Sequence, residues 1–234
     1  MEIIRLTPEL CFLRFSTGHA YLWQDADGLT LIDTGVPGSA PQIADAILTF
    51  GRQPVDLRRI VLTHFHVDHA GSAAEIAKWG EIEVFAHQDD TPFIQGDSKG
   101  PPPDLLDWER PLYEQVNVRV VAEPVGVNRV VDDGDVLDFG GGARVVATPG
   151  HTPGSIAIYL PGPNILLTGD AVARTGEGKV ILGVFNSNPT QAARSFRRLA
   201  NLNPAIICFG HGEPLTEEAA PLLRQAADRM PVSR

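Results

Sequence analysis

The stretch "RRIVLTHFHVDHAG", residues 58–71, places three histidines and an aspartate within six positions directly after an apolar run. If this run is a β-strand that continues into a loop, His64 and His66 project to the same side, because extended chain repeats every two residues. Both imidazoles can then reach one metal ion, and Asp68 and His69 can point to a neighbouring position once the chain turns. Imidazole and carboxylate groups are typical zinc ligands. The stretch therefore predicts a metal site at a strand end rather than a solvated polar loop.

The other apolar runs predict an α/β fold. They are short, rich in β-branched residues and bounded by Gly, Pro, Asn or Asp, as strands are, and several are apolar throughout, as expected of strands covered on both faces. Helices are predicted at 41–50, 72–79, 190–201 and 216–230, where Pro41 and Pro189 suit helix starts. The predicted strands are residues 20–24, 29–33, 58–64, 81–87, 143–148, 155–160, 164–170 and 204–210.

The order of these elements repeats along the chain. A hairpin ends at Asp33 and is followed by a helix and by the strand that leads into His64; a second hairpin ends at Asp170 and is followed by a helix and by the strand that leads into His211. Two such halves, packed sheet to sheet with helices outside, would bring their strand ends along one rim. We expect a single domain, 1–234, with a four-layer αββα sandwich of two mixed β-sheets. The alternative to an internal duplication is that any α/β chain contains a similar order of strands and helices.

Three more candidate ligands follow predicted strands. His151 stands between prolines and glycines in "ATPGHTPGS", Asp170 ends "NILLTGD", and His211 stands in "CFGHGEP". With the first loop they make five histidines and two aspartates, which is enough for two metals that share a bridging carboxylate. His19 and His87 are not part of this set.

The motifs "HFHVDH", "PGHTPGS", "LLTGD" and "FGHGEP", with "LIDTG" upstream, resemble the metallo-β-lactamase superfamily in its zinc-hydrolase branch, over about residues 20–215. The resemblance implies the fold of that superfamily. It also implies two Zn²⁺ per chain, with one or two Fe or Mn ions as the alternative. Asp33, in the "LIDTG" turn, is a candidate to hold an imidazole or the loop backbone in place. The alternative is that Asp33 is a turn residue that caps "DTG". By similarity, His64, His66 and His151 would hold the first metal, Asp68, His69 and His211 the second, and Asp170 would bridge them.

The implied activity is hydrolysis of a small or medium ester, thioester or lactone by a hydroxide that both metals hold. Asp68 is the catalytic candidate, because it could orient that hydroxide and carry its proton to the leaving group. The chain is similar to hydroxyacylglutathione hydrolases around "THFHVDHAG" and "GHTPGS". It also shares the ligand set of lactonases, but Ala173 stands where those lactonases have a tyrosine.

Other activities of the superfamily stay open at this point. The β-lactamases that the chain resembles usually have cysteine or serine in place of Asp170, yet a β-lactam hydrolase is an alternative. A persulfide dioxygenase with a single iron would need only three protein ligands. A non-catalytic binding protein of the same fold is the last alternative.

Composition limits the partners. A formal net charge of −10 disfavours binding to the phosphate backbone of long nucleic acids. The sequence has no apolar stretch of signal-peptide or membrane-span length, and Cys11 and Cys208 are expected to be buried thiols. We therefore expect a cytoplasmic enzyme with a small-molecule acyl substrate, no nucleic-acid partner and no membrane contact, and leave a homodimer open.

Residues 88–120 interrupt the pattern of strands and helices. This proline-rich stretch is either a surface excursion or a lid over the metal site, since long loops in compact domains are often functional. In the second interpretation its aromatic residues Phe93 and Trp108 contact substrate.

Overall fold

The computed structural model describes residues 1–116 and 120–230. The chain divides into two compact units. Unit 1 comprises Met1–Lys99 and Val118–Val131, and unit 2 comprises Gly100–Asn117 and Asp132–Arg234.

Unit 1 contains one mixed sheet. Within the described residues its strand order is β1-β2-β3-β4-β5-β6-β7, antiparallel from β1 to β4 and parallel from β4 to β7. The strands are β1 (Glu2–Arg5), β2 (Leu10–Arg14), β3 (Ala20–Gln24), β4 (Leu29–Ile32), β5 (Leu57–Val61), β6 (Glu83–His87) and β7 (Arg129–Val131). The helices are α1 (Ala40–Thr49), α2 (Val67–Ala70), α3 (Ala73–Ile76) and α4 (Thr91–Ile94), with 3₁₀ turns at Pro54–Asp56 and Ala77–Trp79.

The core of unit 1 forms where helix α1 covers the central strands. Strands β3 and β4 are buried along almost their whole length. Ile43 and Ile47 of α1 belong to the same buried cluster as Leu31 of β4. This burial on both faces explains the continuous apolar runs in the sequence, because each face of the sheet has to be covered by apolar side chains.

Unit 2 contains a second mixed sheet and a separate hairpin. Within the part of unit 2 that the structure describes, the sheet order is β14-β11-β10-β9-β8, in which only β11 and β14 are parallel, and β12 pairs with β13. The helices are α5 (Arg110–Tyr113), α6 (Pro189–Ala200) and α7 (Ala219–Asp228), with a 3₁₀ turn at Gly169–Ala171. The strands are β8 (Val136–Leu137), β9 (Ala143–Ala147), β10 (Ile156–Leu160), β11 (Ile165–Leu167), β12 (Val172–Arg174), β13 (Val180–Leu182) and β14 (Ile206–Cys208).

Helices α6 and α7 supply one side of the core of unit 2. Phe196 and Leu199 of α6 and Leu223 of α7 are fully buried in one cluster with Leu166 of β11. Each fully buried side chain of this size contributes about 1.5–3 kcal/mol relative to an exposed one. The packing of these side chains therefore holds α6 and α7 against the sheet of unit 2.

The repeat that the sequence predicts is present in the strand order of both units. In unit 1 the hairpin β3–β4 is followed by α1 and by β5, parallel to β4; in unit 2 the hairpin β10–β11 is followed by α6 and by β14, parallel to β11. His64 and His211 each stand three residues after the parallel strand. The two aspartates are not equivalent, because Asp33 directly follows β4 whereas Asp170 lies in the 3₁₀ turn after β11.

Several boundaries differ from the predicted ones. Strand β5 ends at Val61 and β11 at Leu167, so the polar residues that follow are not part of the strands. Helix α7 begins at Ala219 rather than at 216, because Glu218 adopts a left-handed conformation with φ of 50°. The predicted helix 72–79 is α3 followed by a 3₁₀ turn.

The predicted lid, 88–120, is divided between the two units. Residues 88–99 lie in unit 1 and include α4, residues 100–116 lie in unit 2 and include α5, and residues 117–119 are outside the described residues. Across residues 1–116 and 120–230, no helix has the length and apolarity of a transmembrane segment.

Candidate metal-ligand groups

The histidine loop of unit 1 runs from the end of β5 into helix α2. His66 is the N-terminal cap residue of this helix, and Asp68 and His69 lie within it. The imidazole ring of His64 has its centre 4.8 Å from that of His66 and 4.2 Å from that of His69. A ligand atom of His64 lies within 4.8 Å of one from His66 and of one from His69, so the loop brings its three imidazoles together.

A buried aspartate orients this loop. Asp33 is 2% exposed and follows β4 with a φ of 60°, a left-handed conformation that aspartate tolerates better than most residues. Its Oδ2 lies 2.9 Å from His69 Nδ1 and accepts the Thr63 hydroxyl at 2.7 Å. Its Oδ1 accepts the backbone N–H of Thr63 at 2.7 Å. Asp33 thus holds both an imidazole and the backbone before His64, the supporting contacts that metal-binding histidines usually have.

These contacts determine which imidazole nitrogens can bind a metal. Because the carboxylate of Asp33 accepts the Nδ1–H of His69, the Nε2 of that ring carries the lone pair. The Thr63 hydroxyl gives its hydrogen to Asp33, so its oxygen accepts the Nδ1–H of His64 across 3.0 Å. Both histidines therefore present Nε2 as the ligand atom.

Asp90 is a supporting residue that the sequence interpretation missed. It is fully buried, and its Oδ2 accepts the backbone N–H of Phe65 at 3.0 Å, between His64 and His66. Asp90 stands three residues after strand β6, and this position near a strand end was the available signal. The neighbouring sequence "HQDDTP" is typical of a surface turn, so it did not indicate that the Asp90 carboxylate is buried.

In unit 2 two imidazoles face one carboxylate oxygen. His151 Nε2 lies 3.5 Å and His211 Nε2 lies 3.3 Å from Asp170 Oδ2. His151 and Asp170 are largely buried, and the side chain of His211 is 37% exposed. The structure thus brings together these three predicted ligands, which come from three different segments of unit 2.

The distances between these imidazole nitrogens and carboxylate oxygens are those expected of two ligands on one metal ion, and they are longer than direct hydrogen bonds. Charge-assisted N–H···O contacts are about 2.7–2.9 Å long. Two ligand atoms bound to one tetrahedral zinc at about 2.0–2.2 Å are about 3.3–3.5 Å apart. The 3.3 and 3.5 Å separations in unit 2 match that spacing, and the 3.7 Å between His69 Nε2 and Asp68 Oδ2 in unit 1 is close to it. The candidate ligand atoms in unit 1 and those in unit 2 are therefore each spaced as zinc ligands are.

Two glycines allow the backbone of unit 2 to approach its ligands closely. A Cβ on Gly150 would lie 2.1 Å from the backbone nitrogen of Ala192 in α6, and Gly150 has a φ of 130°. A Cβ on Gly183 would lie 1.7 Å from the carbonyl oxygen of Asp170. Any side chain at these positions would push His151 or Asp170 out of place.

The remaining predicted residues lie as follows. Phe93 packs on Phe65 at 4.9 Å between ring centres, and Phe65 packs on the ring of His66 at 4.6 Å. Trp108 is 56% exposed and lines an apolar groove of about 760 Å³ beside β13, α6 and α7. His19 and His87 belong to no group of three or more candidate ligands among the described residues.

Both cysteines are free and buried, as expected from the sequence. Burial raises the pKa of the Cys208 thiol well above its usual range and also raises that of Cys11. Each side chain therefore remains a protonated thiol, which is a poor metal ligand.

Comparison with known proteins identifies relatives over most of the chain. A family model described as the metallo-beta-lactamase superfamily matches residues 13–211. The probable metallo-hydrolase YflN of Bacillus subtilis is 33% identical over 205 residues, which is 80% of this chain and 76% of the relative. Hydroxyacylglutathione hydrolase of Rhodobacter capsulatus is 31% identical over 210 residues, 89% of this chain and 66% of the relative.

A solved structure shares the fold. A metallo-beta-lactamase family protein of Thermus thermophilus superposes with a TM-score of 0.72 at 26% identity, covering 96% of this chain and 78% of that one. The predicted α/β class and the fold of the superfamily are thereby confirmed.

Proposed function

Because the chain belongs to the metallo-β-lactamase superfamily, a superfamily of metal-dependent hydrolases, we propose that it is a dinuclear zinc hydrolase. Its substrate would be a small or medium ester, thioester or lactone. The observation that carries the proposal is the pair of imidazoles, His151 and His211, that face one oxygen of Asp170. A carboxylate that two ligand histidines flank is suited to contact two cations at once.

The ligand assignment follows the motif order of the superfamily. Bound divalent cations would supply Lewis acidity and would lower the pKa of a water molecule towards neutrality. Asp170 would offset the repulsion between the two positive charges, since bound cations are the largest local charges in such a site. The first metal is assigned to His64, His66 and His151, and the second to Asp68, His69 and His211, with Asp170 shared.

Asp68 is the residue that we assign to proton transfer. It lies in the first turn of α2 with 24% of its side chain exposed, so it is accessible to water as well as to the ligand group. A carboxylate in this position can accept a proton from the attacking water and pass it to the leaving group. Asp33, which is buried and already accepts three hydrogen bonds, has no such access and acts only by orienting its neighbours.

Three observations support an acyl substrate in the cytoplasm. One of the relatives hydrolyses hydroxyacylglutathione, as its name states. The two free buried thiols are typical of a reducing compartment, and the net charge of −10 disfavours nucleic-acid substrates.

Elemental analysis of gently purified protein tests the metal assignment. We expect two zinc ions per chain and loss of both in Asp170→Ala, with the exposed Glu81→Gln as the matched control. One iron per chain with oxygen uptake on persulfides would contradict the hydrolase. Full metal content in Asp170→Ala would contradict the bridging role.

A panel of substrates tests the reaction. Thioesters, lactones, aryl esters, β-lactams and phosphodiesters should be compared at equal concentration with the zinc-loaded enzyme. We expect turnover of acyl substrates, and activity confined to β-lactams or phosphodiesters would overturn the substrate class.

A further inference from the structure

One loop of unit 2 contacts the segments that carry both His151 and Asp170. This 183–188 loop begins at Gly183, which packs directly against the carbonyl of Asp170. At its other end, the backbone N–H of Ser187 donates to the carbonyl of His151 at 3.1 Å, and that of Asn188 donates to Gly150 at 2.8 Å. Both ends of the loop therefore contact the backbone of segments that carry candidate ligands.

Phe185, in the middle of this loop, has an unfavourable backbone conformation. Its φ is 60°, in the left-handed region that a bulky side chain rarely adopts, and such a conformation costs about 1–3 kcal/mol. Glycine or asparagine would remove most of this cost. The ring of Phe185 is half-buried and meets Tyr113 edge to face at 5.2 Å between ring centres.

A buried carboxylate holds a second segment on this loop. Glu109 is 1% exposed, its Oε1 accepts the backbone N–H of Phe185 at 3.0 Å and its Oε2 accepts that of Leu106 at 2.9 Å. The backbone N–H of Asp104 also donates to the carbonyl of Asn186 at 2.8 Å. The segment 104–113 is thereby fixed to the 183–188 loop by two hydrogen bonds and by the pair of aromatic rings, while the bond from Leu106 to Glu109 lies within the segment and orients the carboxylate.

We propose that Phe185, together with Tyr113, forms the apolar wall that selects the acyl group of the substrate, and that Glu109 is the positioning residue that holds this wall in place. The inference rests on the proposed function. It differs from the expectation drawn from the sequence, which assigned substrate contacts to Phe93 and Trp108. The strained Phe185 lies in the loop whose ends contact both ligand segments, whereas Trp108 lines a groove beside α6 and α7.

The first test replaces Phe185. Phe185→Gly removes the ring and the backbone strain together, and Phe185→Tyr keeps the ring. With p-nitrophenyl acetate and p-nitrophenyl hexanoate, we expect Phe185→Gly to lower the hexanoate-to-acetate ratio of kcat/KM by about tenfold. The change should lie mainly in KM for hexanoate, and Phe185→Tyr should keep the ratio. Leu112→Ala, an exposed position of the same segment, is the control.

The second test addresses Glu109 without relying on activity. Trp108, next in sequence to Glu109, is the most exposed of the three tryptophans, so its fluorescence reports whether the segment stays docked. We expect stronger acrylamide quenching in Glu109→Ala and an intermediate effect in Glu109→Gln, which keeps one of the two acceptor oxygens. The exposed Glu114→Gln should match wild type.

The outcomes separate this inference from the proposed function. Wild-type protein that hydrolyses no acyl substrate would overturn both. An active wild type whose hexanoate preference is unchanged in Phe185→Gly, with metal content intact, would overturn the role of Phe185 alone. Quenching in Glu109→Ala equal to that of wild type would overturn the positioning role of Glu109.

Discussion

At the scale of single residues, hydrogen bonds from distant parts of the chain define the chemistry of the histidine loop. Three donors converge on the two oxygens of Asp33: the N–H and the hydroxyl of Thr63, and the Nδ1–H of His69. An ionised carboxylate can accept all three, because it has only acceptor sites. This arrangement fixes the tautomer of His69 and the direction in which its Nε2 points.

Asp33→Asn should therefore weaken metal binding without unfolding the protein. The amide presents an NH₂ group to at least one of the three donors, so one buried hydrogen bond is lost and the ring of His69 can turn. We expect metal affinity about 10–100-fold below that of wild type, as is typical when such a supporting partner is changed. Competition with a chromophoric chelator measures it, and Glu81→Gln serves as control. Affinity within twofold of wild type would show that Asp33 does not orient the ligand.

At the scale of secondary-structure elements, helix α6 links stability to the site. Its N-terminal cap residue, Asn188, accepts the backbone N–H of Gln191 at 3.0 Å through its side chain, and Pro189 occupies the first turn. The backbone N–H of the same Asn188 donates to the carbonyl of Gly150, which precedes His151. The start of the helix and the loop of a candidate ligand therefore depend on one residue.

Asn188→Ala should lower the free energy of unfolding by about 1 kcal/mol, because a backbone N–H at the helix start loses its acceptor. Asn188→Asp should restore stability, since it keeps the acceptor and places a negative charge at the positive end of the helix dipole. Urea unfolding followed by circular dichroism measures both variants. Equal destabilisation by alanine and aspartate would contradict a capping role.

At the scale of the whole molecule, metal binding should contribute to thermal stability. The chain carries a net charge of −10, which favours the binding of cations. Its seven candidate ligands, two of them carboxylates, come together only in the folded chain, so metal binding would stabilise the folded state. A ligand present at 100 times its Kd stabilises the folded state by about 2.7 kcal/mol. For a chain of this length each kcal/mol raises Tm by about 2–4 °C.

Removal of metal with a chelator should therefore lower Tm by about 5–10 °C, and added zinc should restore it. Differential scanning calorimetry with parallel metal analysis measures the effect. Asp170→Ala should show a smaller response to chelation than wild type. An unchanged Tm after complete metal loss would mean that the metals do not stabilise the fold.

The sequence by itself determined the α/β class, the repeated order of hairpin, helix and parallel strand, and the superfamily. Periodicity and turn residues are local, so they can be recognised without knowledge of the fold. The residue types at the strand ends, such as His64 and His211, likewise predicted metal ligands before any geometry was known. Strand ends were less predictable: the predicted strand 58–64 stops at Val61, because Thr63 and Phe65 donate their N–H groups to Asp33 and Asp90 instead of to a neighbouring strand.

Only the tertiary structure decided which side chains support these ligands. Asp33 and His69 are 36 positions apart, and Glu109 and Phe185 are 76 apart. Asp90 and Glu109 lie in the stretch 88–120, which the sequence allowed to be a surface excursion, yet both are buried and accept backbone N–H groups. A buried carboxylate is stable only where the folded chain delivers such donors. That condition depends on long-range packing, which no local pattern contains.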